Sequence, residues 1–169
     1  MVKIFAKYPH GYKYIIFEEM DILKKKMAAL ICGALMAFSS MAFATVRADQ
    51  VVLGDIQPGE KVSQLKEIYG EPLQVVGDKL IYKGFYVETN DRGSRVEEIV
   101  TEDSGFATSE GIIVGMSEDE LNKSYGKADK IEGDSYNKEY EYFSSDYKYK
   151  MEFKVHNGVI TKISCELND

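Results

Sequence analysis

The alternation of residues 147–155, YKYKMEFKV, constrains the fold of this chain more than any other feature of its sequence. Apolar or aromatic side chains take every second place, namely Tyr147, Tyr149, Met151, Phe153 and Val155. Successive side chains of a β-strand point to opposite faces of the sheet. This period of two therefore predicts a strand with one buried face and one solvated face.

A hairpin is predicted to follow this strand. The next apolar alternation covers residues 159–167, and His156, Asn157 and Gly158 lie between the two. A two-residue loop would put a lysine on the apolar face, because a slip of one residue inverts a strand. We therefore expect a three-residue loop that pairs Val155 with Val159 and holds Gly158 at positive φ.

Two segments of the chain repeat a short pattern that ends in Tyr-Gly. The matching residues, at an offset of 56, are Gly59 and Gly115, Leu65 and Leu121, Tyr69 and Tyr125, and Gly70 and Gly126. Apolar residues at helical spacing followed by glycine predict two short helices. Ser117 with Glu120 three residues later forms a capping box at the start of the second helix.

The repeat sets the predicted fold class, which is α+β. We expect two tandem repeats, each a short helix followed by a three- to four-stranded antiparallel sheet, joined into one curved sheet. The predicted boundaries are an N-terminal segment at 45–54, repeat 1 at 55–102, a linker at 103–110 and repeat 2 at 111–169.

Residues 23–44 are predicted to be a secretory signal peptide. Lys24-Lys25-Lys26 precedes an uncharged apolar run, which ends in the small-residue site Ala42-Phe43-Ala44. Residues 1–22 precede this signal and are interpreted as a mis-called N-terminal extension of a bacterial protein. The sequence thus predicts a secreted or periplasmic protein. An uncleaved membrane anchor and a lipid anchor at Cys32 remain as alternatives.

The charge of the predicted mature part limits its partners. Residues 45–169 carry 15 Lys and Arg against 25 Asp and Glu, a net charge of −10. Such a surface repels nucleic acid and anionic lipid, so we expect neither as a partner and no membrane insertion after cleavage.

No catalytic, cofactor or metal site is predicted. His156 falls in a predicted turn without a nucleophile motif beside it, and the chain has no CxxC, HExxH or phosphate-loop motif. Cys165 is the one cysteine after residue 44 and lies on the apolar face of its strand. It is therefore predicted to be an inert core thiol.

Tyrosine is abundant, and nine of the 12 tyrosines follow residue 44. Most take alternating strand positions, which is typical of core residues. Two short helices can hardly cover six to eight strands, however, and tyrosine is favoured at protein interfaces. Both a purely structural role and a part-exposed binding surface remain open.

The solvated sheet face is predicted to bind another protein. Mixed charges would steer the encounter and an aromatic anchor would supply the buried contact. The predicted binding residues are Tyr86, Glu88, Lys148, Lys150, Glu152, Lys154 and Lys162. The alternative is an ordinary sheet face held by cross-strand Lys–Glu pairs.

With its signal segment and two copies of Gly-x-x-x-x-x-Leu-x-x-x-Tyr-Gly, the chain resembles the β-lactamase-inhibitor-protein-like group. That group is similar to the small SmpA/OmlA outer-membrane-assembly lipoproteins. The segments that carry the resemblance are residues 58–72, PGEKVSQLKEIYGEP, and 111–129, GIIVGMSEDELNKSYGKAD. The resemblance implies tandem α+β repeats and a sheet surface that binds a protein. This chain lacks the inhibitors' disulfides and a good lipobox.

The sequence therefore predicts a non-catalytic, secreted or envelope-associated protein-binding module, inhibitor-like or assembly-factor-like. One alternative is a structural or interaction domain that works as a homodimer through its sheet. Another is a small hydrolase or ligand carrier that uses exposed carboxylates or an aromatic pocket.

Overall fold

The computed structural model describes residues 46–168, and the predicted signal peptide and extension lie outside them. The helices are a 3₁₀ turn at Ala48–Gln50, α1 (Val62–Tyr69) and α2 (Glu118–Tyr125). The strands are β1 (Gln74–Val76), β2 (Lys79–Ile81), β3 (Phe85–Thr89), β4 (Val96–Thr101), β5 (Lys130–Gly133), β6 (Asn137–Phe143), β7 (Tyr149–His156) and β8 (Val159–Leu167). None of the helices in this part of the chain has the length and hydrophobicity to cross a bilayer.

The eight strands form one antiparallel sheet in the order β1-β2-β3-β4-β8-β7-β6-β5. The prediction of two repeats, each with its own small sheet, is wrong, although two helices on a sheet remain loosely α+β. The reason is the pairing of β4 with β8. Glu98 to Thr101 face Glu166 to Ile163 in an unbroken antiparallel register, so the ladder has no boundary in its middle.

Helix α1 ends as its sequence predicts, at Tyr69 and Gly70. Gly70 has φ +79, which glycine adopts without the strain that a Cβ would cause. The Tyr69 ring packs edge-on against Phe85 of β3, with 5.0 Å between centroids. Tyr82 donates a hydrogen bond from its hydroxyl to the Gly70 carbonyl at 3.3 Å, so the sheet also holds the helix end.

Helix α2 is attached in the same manner. Its predicted capping box is present, since Ser117 Oγ accepts from the Glu120 amide and the Glu120 carboxylate accepts from the Ser117 amide. At the other end, the Tyr125 ring lies 5.4 Å from both Tyr142 and Phe153. Both helices therefore sit on the same apolar side of the sheet.

The face beneath the helices, here named the covered face, contains the core. Its buried strand residues are Leu80, Phe85, Val87, Ile99, Tyr140, Tyr142, Met151, Phe153, Ile163 and Cys165. Cys165 is fully buried as predicted, and burial raises the pKa of its thiol. The tyrosines differ in burial, since Tyr142 is buried whereas Tyr136 and Tyr147 are 67% and 69% exposed.

The predicted three-residue hairpin is wrong. His156 pairs with Val159 across a two-residue Asn157-Gly158 turn in which both residues have positive φ, 51° and 76°. A β-bulge allows this short turn without placing a lysine on the apolar face. Ile160 pairs with Val155 and Lys162 pairs with Lys154, so Thr161 is an extra residue of β8 between the two pairs. Thr161 Oγ1 donates to the carbonyl of Lys154 at 3.2 Å, which fixes the bulge. The predicted positive φ of Gly158 is confirmed.

Candidate functional site: the open face of the sheet

The side of the sheet opposite the helices carries three cross-strand rows of mostly charged residues and is here named the open face. The first row is Tyr86, Val100, Ser164, Glu152, Glu141 and Lys130. The second is Lys79, Glu88, Glu98, Glu166, Lys150 and Phe143. The third is Lys162, Lys154, Glu139 and Glu132. These residues share the face because strand neighbours in register point to the same side.

Six of the seven predicted binding residues lie on this face, and they are Tyr86, Glu88, Lys150, Glu152, Lys154 and Lys162. The seventh, Lys148, precedes β7. It lies in a turn with Tyr147 and Asp146, where its Nζ is 3.5 Å from the Asp146 carboxylate and its side chain is 72% exposed. Lys148 is thus at the margin of the face and outside its rows.

Ion pairs connect the lysines of the open face to the carboxylates around them. Lys150 Nζ lies 2.5 Å from Glu166 and 3.7 Å from Glu152, and all three side chains are partly buried. Burial alone would lower the pKa of Lys150, but the hydrogen bond to Glu166 and the nearby carboxylates raise it overall. Lys154 Nζ lies 3.4 Å from Glu139 and 3.6 Å from Glu152. Lys150 is therefore a structural part of the face as well as a surface charge.

Glu98 is the exception in this arrangement. It lies between Glu88 and Glu166 in the second row, so three carboxylates stand side by side on β3, β4 and β8. Lys79 pairs with Glu88 at 2.8 Å and Lys150 with Glu166, whereas Glu98 has no ion pair within 4 Å in residues 46–168. Burial raises the pKa of Glu98, and Glu166 and Glu88 add to this while Lys162 opposes it. The centre of the face thus holds a carboxylate without a close cation.

Sequence reasoning missed Glu98, and the reason is a second bulge. Glu88 faces Glu98 whereas Thr89 faces Val96, so Glu97 is an extra residue in β4. The buried Val96 and Ile99 are three residues apart, a break in the period of two that could have revealed the bulge. The carboxylates of β6 were also missed, although Glu139 and Glu141 alternate visibly with tyrosines.

Aromatic side chains stand at both ends of the open face. Lys79 Nζ lies 4.0 Å above the centre of the Tyr86 ring, and burial raises the pKa of the Tyr86 hydroxyl. An open groove beside this ring is lined on the open face by Tyr86, Ile81 and Glu102. At the far end the rings of Phe143 and Tyr147 are 6.2 Å apart. The face therefore combines a charged centre with aromatic margins.

A group of three carboxylates near β5 has the composition of a cation site. Oxygens of Glu132, Glu139 and Glu141 lie within 4.8 Å of one another. However, Lys130 Nζ lies 3.0 Å from Glu132 and 2.9 Å from Glu141, and Lys154 pairs with Glu139. Because ammonium groups already neutralise these carboxylates, the cluster is explained as part of the ion-pair arrangement.

Comparison with known proteins adds little to this geometry. No protein-family profile and no curated protein matches the chain. A solved structure described as a DUF4309 family protein (YjgB) from Bacillus subtilis aligns with 64% of this chain and 78% of its own length. It is 14% identical with a TM-score of 0.47, a likeness too low to support any inference about this chain.

Proposed function

We propose that the chain is a non-catalytic, secreted or envelope-associated protein-binding module that binds its partner on the open face of the sheet. The observation that carries this proposal is the position of Glu98. Glu98 is half-buried between two other carboxylates and has no close cation in the described residues. A cation on a partner would therefore stabilise its charge more than that of any carboxylate already paired.

The charges of the open face define the chemistry of that partner. The rows contain seven glutamates, Glu88, Glu98, Glu132, Glu139, Glu141, Glu152 and Glu166. They contain five lysines, Lys79, Lys130, Lys150, Lys154 and Lys162. The excess of carboxylates favours a partner surface rich in Lys or Arg and opposes nucleic acid. We infer that a basic side chain of the partner pairs with Glu98.

Tyr86 supplies the apolar part of the contact. Its ring is half-buried and fixed beneath the Lys79 ammonium group, so it loses little side-chain freedom on binding. The groove beside it, lined by Tyr86, Ile81 and Glu102, can accept an apolar side chain of the partner. Aromatic residues and arginine are enriched at protein interfaces, so Tyr86 suits a partner that presents an arginine to Glu98.

The proposal is tested with Glu98→Gln, which removes the charge and keeps the shape. The tagged full chain is used as bait in the native cell envelope, and proteins recovered with the wild type are quantified by mass spectrometry. We expect recovery with Glu98→Gln to fall by about tenfold or more, because the partner's cation loses its counter-ion. Glu97→Gln is the matched control, since Glu97 is the exposed bulge residue beside it, and recovery should be unchanged.

Equal recovery by Glu98→Gln and the wild type would contradict the proposal. A folding defect would also lower recovery, but we expect the variant to be at least as stable as the wild type, because removing this charge relieves its burial. Unfolding of the variant in urea is measured alongside to verify this.

A further inference from the structure

Within residues 46–168 the edge strands of the sheet are β1 and β5, and they differ in chemistry. The β5 edge carries Lys130 and Glu132 on either side of Ile131 and ends at Gly133. Charged residues on an edge strand discourage pairing with another sheet. The β1 edge, Gln74–Val76, has no charge, and all three of its residues are exposed. Only β5 is thus protected against edge-to-edge pairing.

Apolar side chains accumulate at the unprotected β1 edge. Leu73 is 76% exposed and Val75 is 59% exposed. Val75 pairs with the buried Leu80, so it lies on the covered side of the sheet. These side chains extend the apolar core to the edge and leave it uncovered by other residues of the described chain.

Val75 is the residue whose backbone groups can pair at this edge, since the Leu73 N–H already donates to the Ile81 carbonyl at 2.8 Å. Val76 closes on Lys79 across the two-residue Gly77-Asp78 turn, which directs its N–H and C=O toward β2. Neighbouring residues of a strand direct these groups alternately to the two sides, so Val75 directs its own away from β2. An added strand would therefore form its central hydrogen bonds with Val75.

We propose that a second copy of the chain occupies this edge and that the two β1 strands pair antiparallel about Val75. In this register Val75 faces its own symmetry mate, Leu73 faces Gly77 and Gln74 faces Val76. A Cβ at Gly77 would have no atom within 4 Å, so the large Leu73 meets open space in the other copy. No charged residue faces another between 73 and 77, and the contact closes on itself as a two-fold dimer.

A short bis-maleimide crosslinker tests this register directly. All variants are made in the full chain with Cys32→Ser, while Cys165 is buried and stays in place. Val75→Cys puts two thiols across the two-fold axis, where the paired Cα atoms of an antiparallel ladder are about 5.5 Å apart. Ile131→Cys on β5 is the matched control. We expect dimer to form from Val75→Cys at least about tenfold faster than from Ile131→Cys.

Sedimentation velocity over a range of concentrations gives the second measurement. We expect the wild type to dimerise reversibly, Val75→Lys to be monomeric and Ile131→Lys to behave as the wild type. A monomer at every concentration, equal crosslinking at the two edges or a ladder of longer multimers would overturn the proposal. Glu98 lies on β4, three strands away from β1, and belongs to the open face, whereas Val75 lies on the covered side, so these results are read separately from partner recovery at Glu98.

Discussion

On the covered face of the sheet, Met151, Phe153 and Ile163 are buried beneath the helices, whereas on the other side of the same strands Lys150, Glu152 and Glu166 form ion pairs. The covered face has exchanged nearly all its water for apolar contacts. The open face keeps buried charge that is only partly neutralised. Burying apolar area is the main stabilising term in folding, and a half-buried carboxylate without a close cation opposes it. The covered face therefore serves stability, and the open face is the surface on which we propose that a partner binds.

Deletion of a single residue in β8 should have the largest effect on stability, because it can exchange the covered and open faces of the strand. Deleting Ser164 moves Glu166 to the place of Cys165 in the core, because a shift of one residue inverts the strand. We expect this variant not to fold, with loss of the cooperative transition in circular dichroism. Deleting Thr161, the bulge residue, leaves every other side chain on its own face and should cost about 1–2 kcal/mol. Equal damage from both deletions would contradict the assigned bulge.

Adjacent residues of β7 give the next largest difference. Phe153→Ala removes a fully buried ring that contacts Tyr125 and Tyr142, and it should lower the free energy of unfolding by about 3–5 kcal/mol. Lys154→Ala removes a half-exposed lysine from the open face and should change it by about 0.5 kcal/mol or less. Urea unfolding followed by tyrosine fluorescence measures both. Similar losses would show that the two faces do not differ as described.

Substitutions of Lys150 and Lys148 compare the interior of the open face with its margin. Lys150→Ala leaves Glu152 and Glu166 without their shared ammonium group and should cost about 1–2 kcal/mol, between the values for exposed and buried pairs. Lys148→Ala removes an exposed side chain in a turn and should cost less than about 0.5 kcal/mol. A negligible effect of Lys150→Ala would mean that the ion pairs of the rows are only solvated surface contacts.

Glu98→Gln should have a small effect on stability, and its sign should be opposite to that of the other substitutions. The folded state raises the pKa of Glu98, so its ionised form destabilises the fold above that pKa. At pH 7 the variant should be more stable by about 0.5 kcal/mol. The gain should vanish as the pH falls below about 4, where the wild-type carboxyl is protonated in both states. A variant less stable than the wild type at pH 7 would show that Glu98 has a stabilising role in the fold.

The sequence predicted local structure better than long-range pairing. The alternation of Met151 and Phe153 with lysines and the Tyr-Gly ends of the helices follow from local geometry, which short segments encode. The pairing of β4 with β8 joins residues far apart in the chain, and no local pattern specifies it. The bulges at Glu97 and Thr161 each add one residue to a strand, so the strict alternation of faces assumed from the sequence is broken at both places.

The candidate site was predicted in part for the same reason. Tyr86, Lys150 and Lys162 follow from alternation and lie on the open face. Glu98 was not predicted. The bulge at Glu97 decides which face Glu98 lies on, and the neighbouring strands β3 and β8 decide that carboxylates rather than a cation lie beside it. The signal peptide, the secreted or periplasmic location and the resemblance to the β-lactamase-inhibitor-protein-like group remain predictions.

Position-resolved photo-crosslinking tests the binding role of the open face most directly. The photoreactive residue p-benzoylphenylalanine replaces Lys162 on the open face or Lys123 on the exposed side of α2, in the full chain and in the cells that naturally express it. We predict a crosslinked heterologous protein from position 162 that is absent from position 123. It should also diminish when Glu98→Gln is added. Crosslinks from position 123 alone, or equal yields from both positions, would contradict binding at the open face.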